Sequence, residues 1–164
     1  MTTARRSATS QSTTVQAIRA ILLATLVLGL VGTVIELFLL EHTEDAPQWI
    51  PIFLILAALI VLAWHALARD ALTVRALQAT MVAFIFAGML GVILHYRGNI
   101  EFELELHPGS RGGGLFLEAL MGATPTLAPG TMIQLGLIGL AYTVKHPWLG
   151  STTEDGAPVR EQGT

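Results

Sequence analysis

The sequence predicts an all-α membrane protein, a four-transmembrane-helix bundle with both termini cytoplasmic and an acidic extracytoplasmic loop region. Three observations lead there. Only 13% of the 164 residues are charged, about half the share usual in a soluble domain, and mean hydropathy is +0.62. The apolar residues gather into runs near the ~20 residues that a membrane helix needs. Finally, seven of the nine basic residues (Arg5, Arg6, Arg19, Arg69, Arg75, Lys145 and Arg160) fall on one side of a four-span arrangement, and only Arg97 and Arg111 on the other.

Residues 1–14 are rich in Thr and Ser and read as a disordered cytoplasmic tail. A membrane domain of residues 15–148 follows. Its first span, 20–40, holds one charge, Glu36. A cleaved signal peptide is the rival reading, but the run exceeds an h-region of about 7–15 residues and no small-x-small site follows it. The acidic outer segment 41–48 comes next. The second span, 49–68, is uncharged between Asp45 and Arg69, and the third, 76–96, between Arg75 and Arg97. Pro51, near the start of the second span, lies where a missing N–H costs least.

The second outer segment, 97–128, is too long for a plain connector. Within it, residues 101–106 alternate Glu with Phe or Leu, as a half-buried extended stretch would. Gly112, Gly113 and Gly114 read as a flexible joint, and 115–121 as a short apolar helix at the outer interface. The fourth span, 129–144, is the shortest and opens on Pro129. Residues 149–164 read as a second disordered cytoplasmic tail.

The first and third spans share a pattern. Gly29 and Gly32 precede Glu36 as Gly88 and Gly91 precede His95, and the fourth span repeats the spacing with Gly136 and Gly139. Positions i, i+3 and i+7 share a helical face, and small residues let membrane helices approach closely. The six glycines are therefore expected at helix contacts, with the first and third helices packed on each other and Glu36 near His95 and Arg97. His42 and Glu101 correspond six residues further on, which suggests duplicated hairpins related by an axis along the membrane normal.

Several function classes drop out. With no cysteine, there are no disulfides, thiolate metal sites or cysteine nucleophiles. A pI near 5.9 and net charge −3 speak against nucleic-acid binding. No nucleophile–base arrangement and no phosphate-binding glycine motif is visible, so an enzyme is not expected. The leading expectation is a small protein of the cell inner membrane, in contact with the lipid bilayer, that acts through a protein partner or as a homo-oligomer. Two alternatives rest on the ionisable groups, because an acid inside a membrane span is costly to place there. In one, Glu36, His42, His95 and Glu101 hold a divalent metal through mixed N/O donors. In the other, His42 and His95 are axial ligands of a b-type haem. A structural pair of Glu36 with His95 or Arg97 is the plain reading of the same residues. His65 and His146, beside Trp64 and Trp148, read as interfacial residues, His107 as solvated, and Gln134 as an interhelical hydrogen bond.

Overall fold

The computed structural model describes the backbone of residues 2–41, 43–122 and 124–150 and side chains from Thr13 onward. All regular structure among them is helical: α1 (Thr2–Leu39), α2 (Trp49–Ala68), α3 (Ala71–Leu106), α4 (Gly112–Leu120) and α5 (Gly130–Thr143), with single 3₁₀ turns at Ala46–Gln48 and Pro147–Leu149.

Local chemistry sets these boundaries. The Gln48 side-chain carbonyl accepts from the backbone N–H groups of Glu44 and Asp45, at 2.8 and 3.3 Å, which closes the turn that launches α2. That helix is apolar throughout and stops at Arg69, whose backbone is left-handed at φ 54° and whose N–H donates to His65 O. Asp70 then caps α3, its carboxylate accepting from Thr73 N at 2.8 Å. Two residues suffice to reverse the chain.

Three helices are long and apolar enough to cross a bilayer, in the segments Thr13–Leu39, Ala46–Ala68 and Ala71–Leu106. Their outward residues support the same reading. Leu28, Leu67 and Phe86 are 74%, 85% and 67% exposed. Apolar surface this continuous suits lipid, since water-soluble monomers rarely show so large a patch. Inward, Leu26 and Leu30 of α1, Ile55, Ala58 and Leu62 of α2, Leu77, Met81 and Phe84 of α3, and Met132, Leu135 and Tyr142 of α5 form one core.

The expected fourth span differs from the other three. With 14 residues, α5 is about 21 Å long against a hydrocarbon core of about 30 Å. Its interfaces are central nonetheless. It packs against both α3 and α1, whereas α1 and α3 share no extensive interface. The expected direct packing of the first helix on the third is therefore corrected. Glycines on α5 allow the closer approach, and α5 takes the place between them.

Other segments also depart from expectation. Residues 101–106 are helical, not extended, because α3 continues unbroken to Leu106 and is about 54 Å long. A solvated helix tolerates acids on several faces, so alternation carried no strand information there. Gly112, Gly113 and Gly114 form the first turn of α4 instead of a joint, with Gly112 at φ +64°. At the other end, α1 runs back to Thr2 through residues expected to be a tail. The second tail, from residue 151 onward, lies outside the described residues.

Candidate functional site

Chain reversal brings four helix ends together at one end of the bundle, and a polar network forms there. His65 of α2 lies 3.0 Å (Nδ1) from the Thr73 hydroxyl of α3 and 2.8 Å (Nε2) from the Tyr142 hydroxyl of α5. The Thr73 hydroxyl donates to Asp70 O at 2.8 Å. Its oxygen is therefore the acceptor toward His65, which places the imidazole proton on Nδ1 and leaves Nε2 to accept from Tyr142. The sequence runs Tyr142 O–H to His65, His65 N–H to Thr73, Thr73 O–H to the Asp70 carbonyl. Each donor has one acceptor.

Around this line sit three more rings. His65 is 4.7 Å from Trp148 and 5.3 Å from His146, centroid to centroid, and His146 is 4.8 Å from Trp148. Burial holds the His146 imidazole below its ordinary range, with His65 and Arg19 adding to the effect. Its Nδ1 accepts from Trp148 N at 3.4 Å, a contact that uses the neutral ring. From α1, Arg19 donates to the carbonyl oxygens of Val144 and Lys145 at 3.1 and 2.6 Å. A cation there also opposes the negative end of α5. The network locks α1, α2, α3 and α5 at one level.

A second polar node sits toward the opposite end. Asn99, on the extension of α3, is fully buried. Its Nδ2 donates to Ala119 O, Thr124 O and the Thr126 hydroxyl at 2.9, 2.8 and 3.0 Å, while Oδ1 accepts from Thr124 N and the Thr124 hydroxyl at 3.1 and 2.6 Å. Outside a helix, the backbone N–H and carbonyl of Thr124 both take their partners from this one side chain. His95 Nδ1 lies 3.2 Å from Pro125 O in the same connection. Gly122 is required here, since a Cβ would fall 2.6 Å from the Asn99 side chain.

The residues singled out from sequence fare unequally. Gly29 faces Leu135, Gly88 faces Ile133 and the Pro129 carbonyl, Gly91 faces the Pro129 ring, Gly136 faces Ile85 and the Met81 carbonyl, and Gly139 faces Met81. Gly32 meets nothing within 4 Å. Glu36 is exposed, and among the described residues its carboxylate makes no hydrogen bond or ion pair. No group of three His, Asp or Glu side chains able to hold a metal occurs among the described residues, so Glu36, His95 and Glu101 form no such cluster there. His42, on which both the metal and the haem readings depend, lies outside the described residues. Gln134 is exposed and hydrogen-bonds no described residue, so the expected interhelical bond is corrected: the side chain lies on the outer surface of the bundle. His107 is largely solvated and makes a 3.4 Å contact with Glu103.

Two sites escaped the sequence reading. Their neighbours Trp64 and Trp148 mark His65 and His146 in sequence as interfacial rings, and the signal that joins them is Tyr142, which the antiparallel order brings to the same level. Asn99 had no local signal at all; its partners lie 20 to 27 residues away. Comparison of the chain with protein families, curated proteins and solved structures finds no match.

Proposed function

We propose that this chain is a small, non-enzymatic subunit of the bacterial cytoplasmic membrane that acts by associating with a second copy of itself along the lipid-facing seam between α1 and α5. The observation that carries the reading is a pair of unpartnered polar side chains at membrane depth. Glu36 on α1 and Gln134 on α5 are both exposed, and neither bonds a described residue. Gly29 meets Leu135 across the α1–α5 contact. Gly32 and Glu36 flank Gly29 at i+3 and i+7, and Gln134 adjoins Leu135, so all three border one seam. Gly32 leaves an open notch in it. Polar groups facing hydrocarbon are costly, and small residues with interhelical hydrogen bonds are what hold membrane helices together. An amide both donates and accepts, so Gln134 of two copies related by an axis along the membrane normal can satisfy each other at equal depth.

The absence of cysteine makes the test direct. In native membranes, Gly32→Cys and Gln134→Cys should each give an oxidatively cross-linked dimer, while Phe86→Cys, exposed on α3, should not. Gln134→Leu should weaken association about three- to tenfold, the worth of one interhelical hydrogen bond. If neither seam cysteine cross-links and the chain sediments as a monomer, self-association is wrong.

The proposal includes a four-span topology with both termini cytoplasmic. Arg19, Arg69, Arg75 and Lys145 all belong to the end that holds the His65 network, and this concentration of basic residues supports a cytoplasmic assignment. A reporter active only outside the cytoplasm should be silent when fused after Val144 and active when inserted at Gly113. The reverse pattern would overturn the orientation.

A further inference from the structure

A groove of about 430 Å³ opens at the basic end between α1 and α2. Leu23 and Val27 of α1 and Leu59 and Leu62 of α2 form its walls, and Arg69 and Trp148 stand at its mouth. We propose that this groove holds one acyl chain of an anionic phospholipid whose phosphate is bound by Arg69.

Length and position fit a lipid chain. Leu59 and Arg69 are ten residues apart, so the groove runs roughly 15 Å from mouth to floor, about half of a hydrocarbon core. His65 and Tyr142 also line the groove, toward the Arg69 end. The walls at Leu23, Val27, Leu59 and Leu62 are apolar and belong to membrane-spanning helices, so the occupant reaching that part from the bilayer is hydrocarbon. The head of that occupant would lie at the mouth, beside a trio of cations. Arg69 is exposed and pairs with no described carboxylate; its Nε donates to Ala66 O at 3.3 Å, which leaves both terminal nitrogens available. Arg19 and Lys145 add positive charge at the same end. Asp70, the nearest acid in sequence, has its carboxylate engaged in capping α3. Basic pockets between membrane helices are suited to anionic headgroups.

Arg69 terminates α2 at φ 54°, a left-handed conformation that glycine or asparagine adopts with least strain. That conformation provides a clean variant, because Arg69→Asn suits the turn while removing the charge.

The full chain carrying Trp49→Phe and Trp64→Phe retains Trp148 as its one tryptophan. Reconstituted in mixed phosphatidylcholine and phosphatidylglycerol vesicles, it reports bound lipid through quenching by brominated acyl chains. Brominated phosphatidylglycerol should quench Trp148 at a several-fold lower mole fraction than brominated phosphatidylcholine. Arg69→Asn should abolish that preference at unchanged helicity, and Arg75→Gln, a charge loss on α3 away from the groove, should keep it. Equal quenching by the two lipids in the Arg69 protein overturns the proposal without reference to any variant. So does a preference that survives in folded Arg69→Asn, or one that Arg75→Gln removes to the same degree.

Discussion

Replacing Asn99 with leucine should detach α4 and its connection from α3 before the rest of the bundle melts. The substitution removes five hydrogen bonds, among them the partners of Thr124 N and Thr124 O. At about 0.5–1.5 kcal/mol for each bond lost, a loss on the order of 3 kcal/mol is expected. Asn99→Asp should be nearly as damaging despite its equal shape, because the donors to Ala119, Thr124 and Thr126 vanish and an uncompensated charge replaces them. Hydrogen exchange in detergent should show early opening confined to residues 112–129. Protection there equal to that of the unmodified protein would refute the role given to Asn99.

The second large effect is graded rather than single. Alanine at Gly136 puts a methyl 2.7 Å from the Met81 carbonyl oxygen, which is fixed backbone, and should separate α5 from α3 at a cost of about 1–3 kcal/mol. Alanine at Gly139 presses only on the Met81 side chain, which is flexible and can turn aside, so its cost should be smaller. Alanine at Gly32 meets open space and should be neutral or slightly stabilising for the isolated chain, since alanine favours the helix. Thermal melts of the three variants should rank in that order. A Gly32→Ala protein as unstable as Gly136→Ala would mean that α1 packs differently.

How far the fold was legible follows from what each signal measures. The second span was legible to the residue, because α2 covers 49–68 and its uncharged run is bounded by local stop signals, the Gln48 turn and the Arg69–Asp70 reversal. The third was legible only in its membrane part. An apolar run marks where hydrocarbon ends, not where a helix ends, and α3 continues ten residues past Tyr96. Glycine spacing identified positions of close approach but not their partner. Gly29 and Gly88 both turned out to face α5, a distinction that depends on helix order in space. The His65 network and the Asn99 node join residues that only the fold makes neighbours. Gln134 illustrates the limit from the other side: sequence shows a polar residue in a span, and only packing shows whether it turns inward or outward.

In the four-span arrangement proposed above, the short reach of α5 has a consequence for the surrounding lipid. Arg19 and the Tyr142–His65 bond pin its last turn at the basic end, so the whole shortfall of about 9 Å against a ~30 Å core falls at the opposite surface. Pro129, just before its first turn, sits level with Gly88 and Gly91, while α3 remains apolar through Leu94. In that arrangement, lipids beside α5 would meet a thinner hydrophobic belt in one leaflet only. Such mismatch costs fractions of a kcal/mol per ångström and is relieved by local bilayer thinning or by oligomerisation. Two copies that share a dent disturb less lipid than two that stand apart. Cross-linking at Gly32→Cys should then increase as acyl chains are lengthened, and bilayer thickness becomes a control on assembly that acts without any contact between side chains.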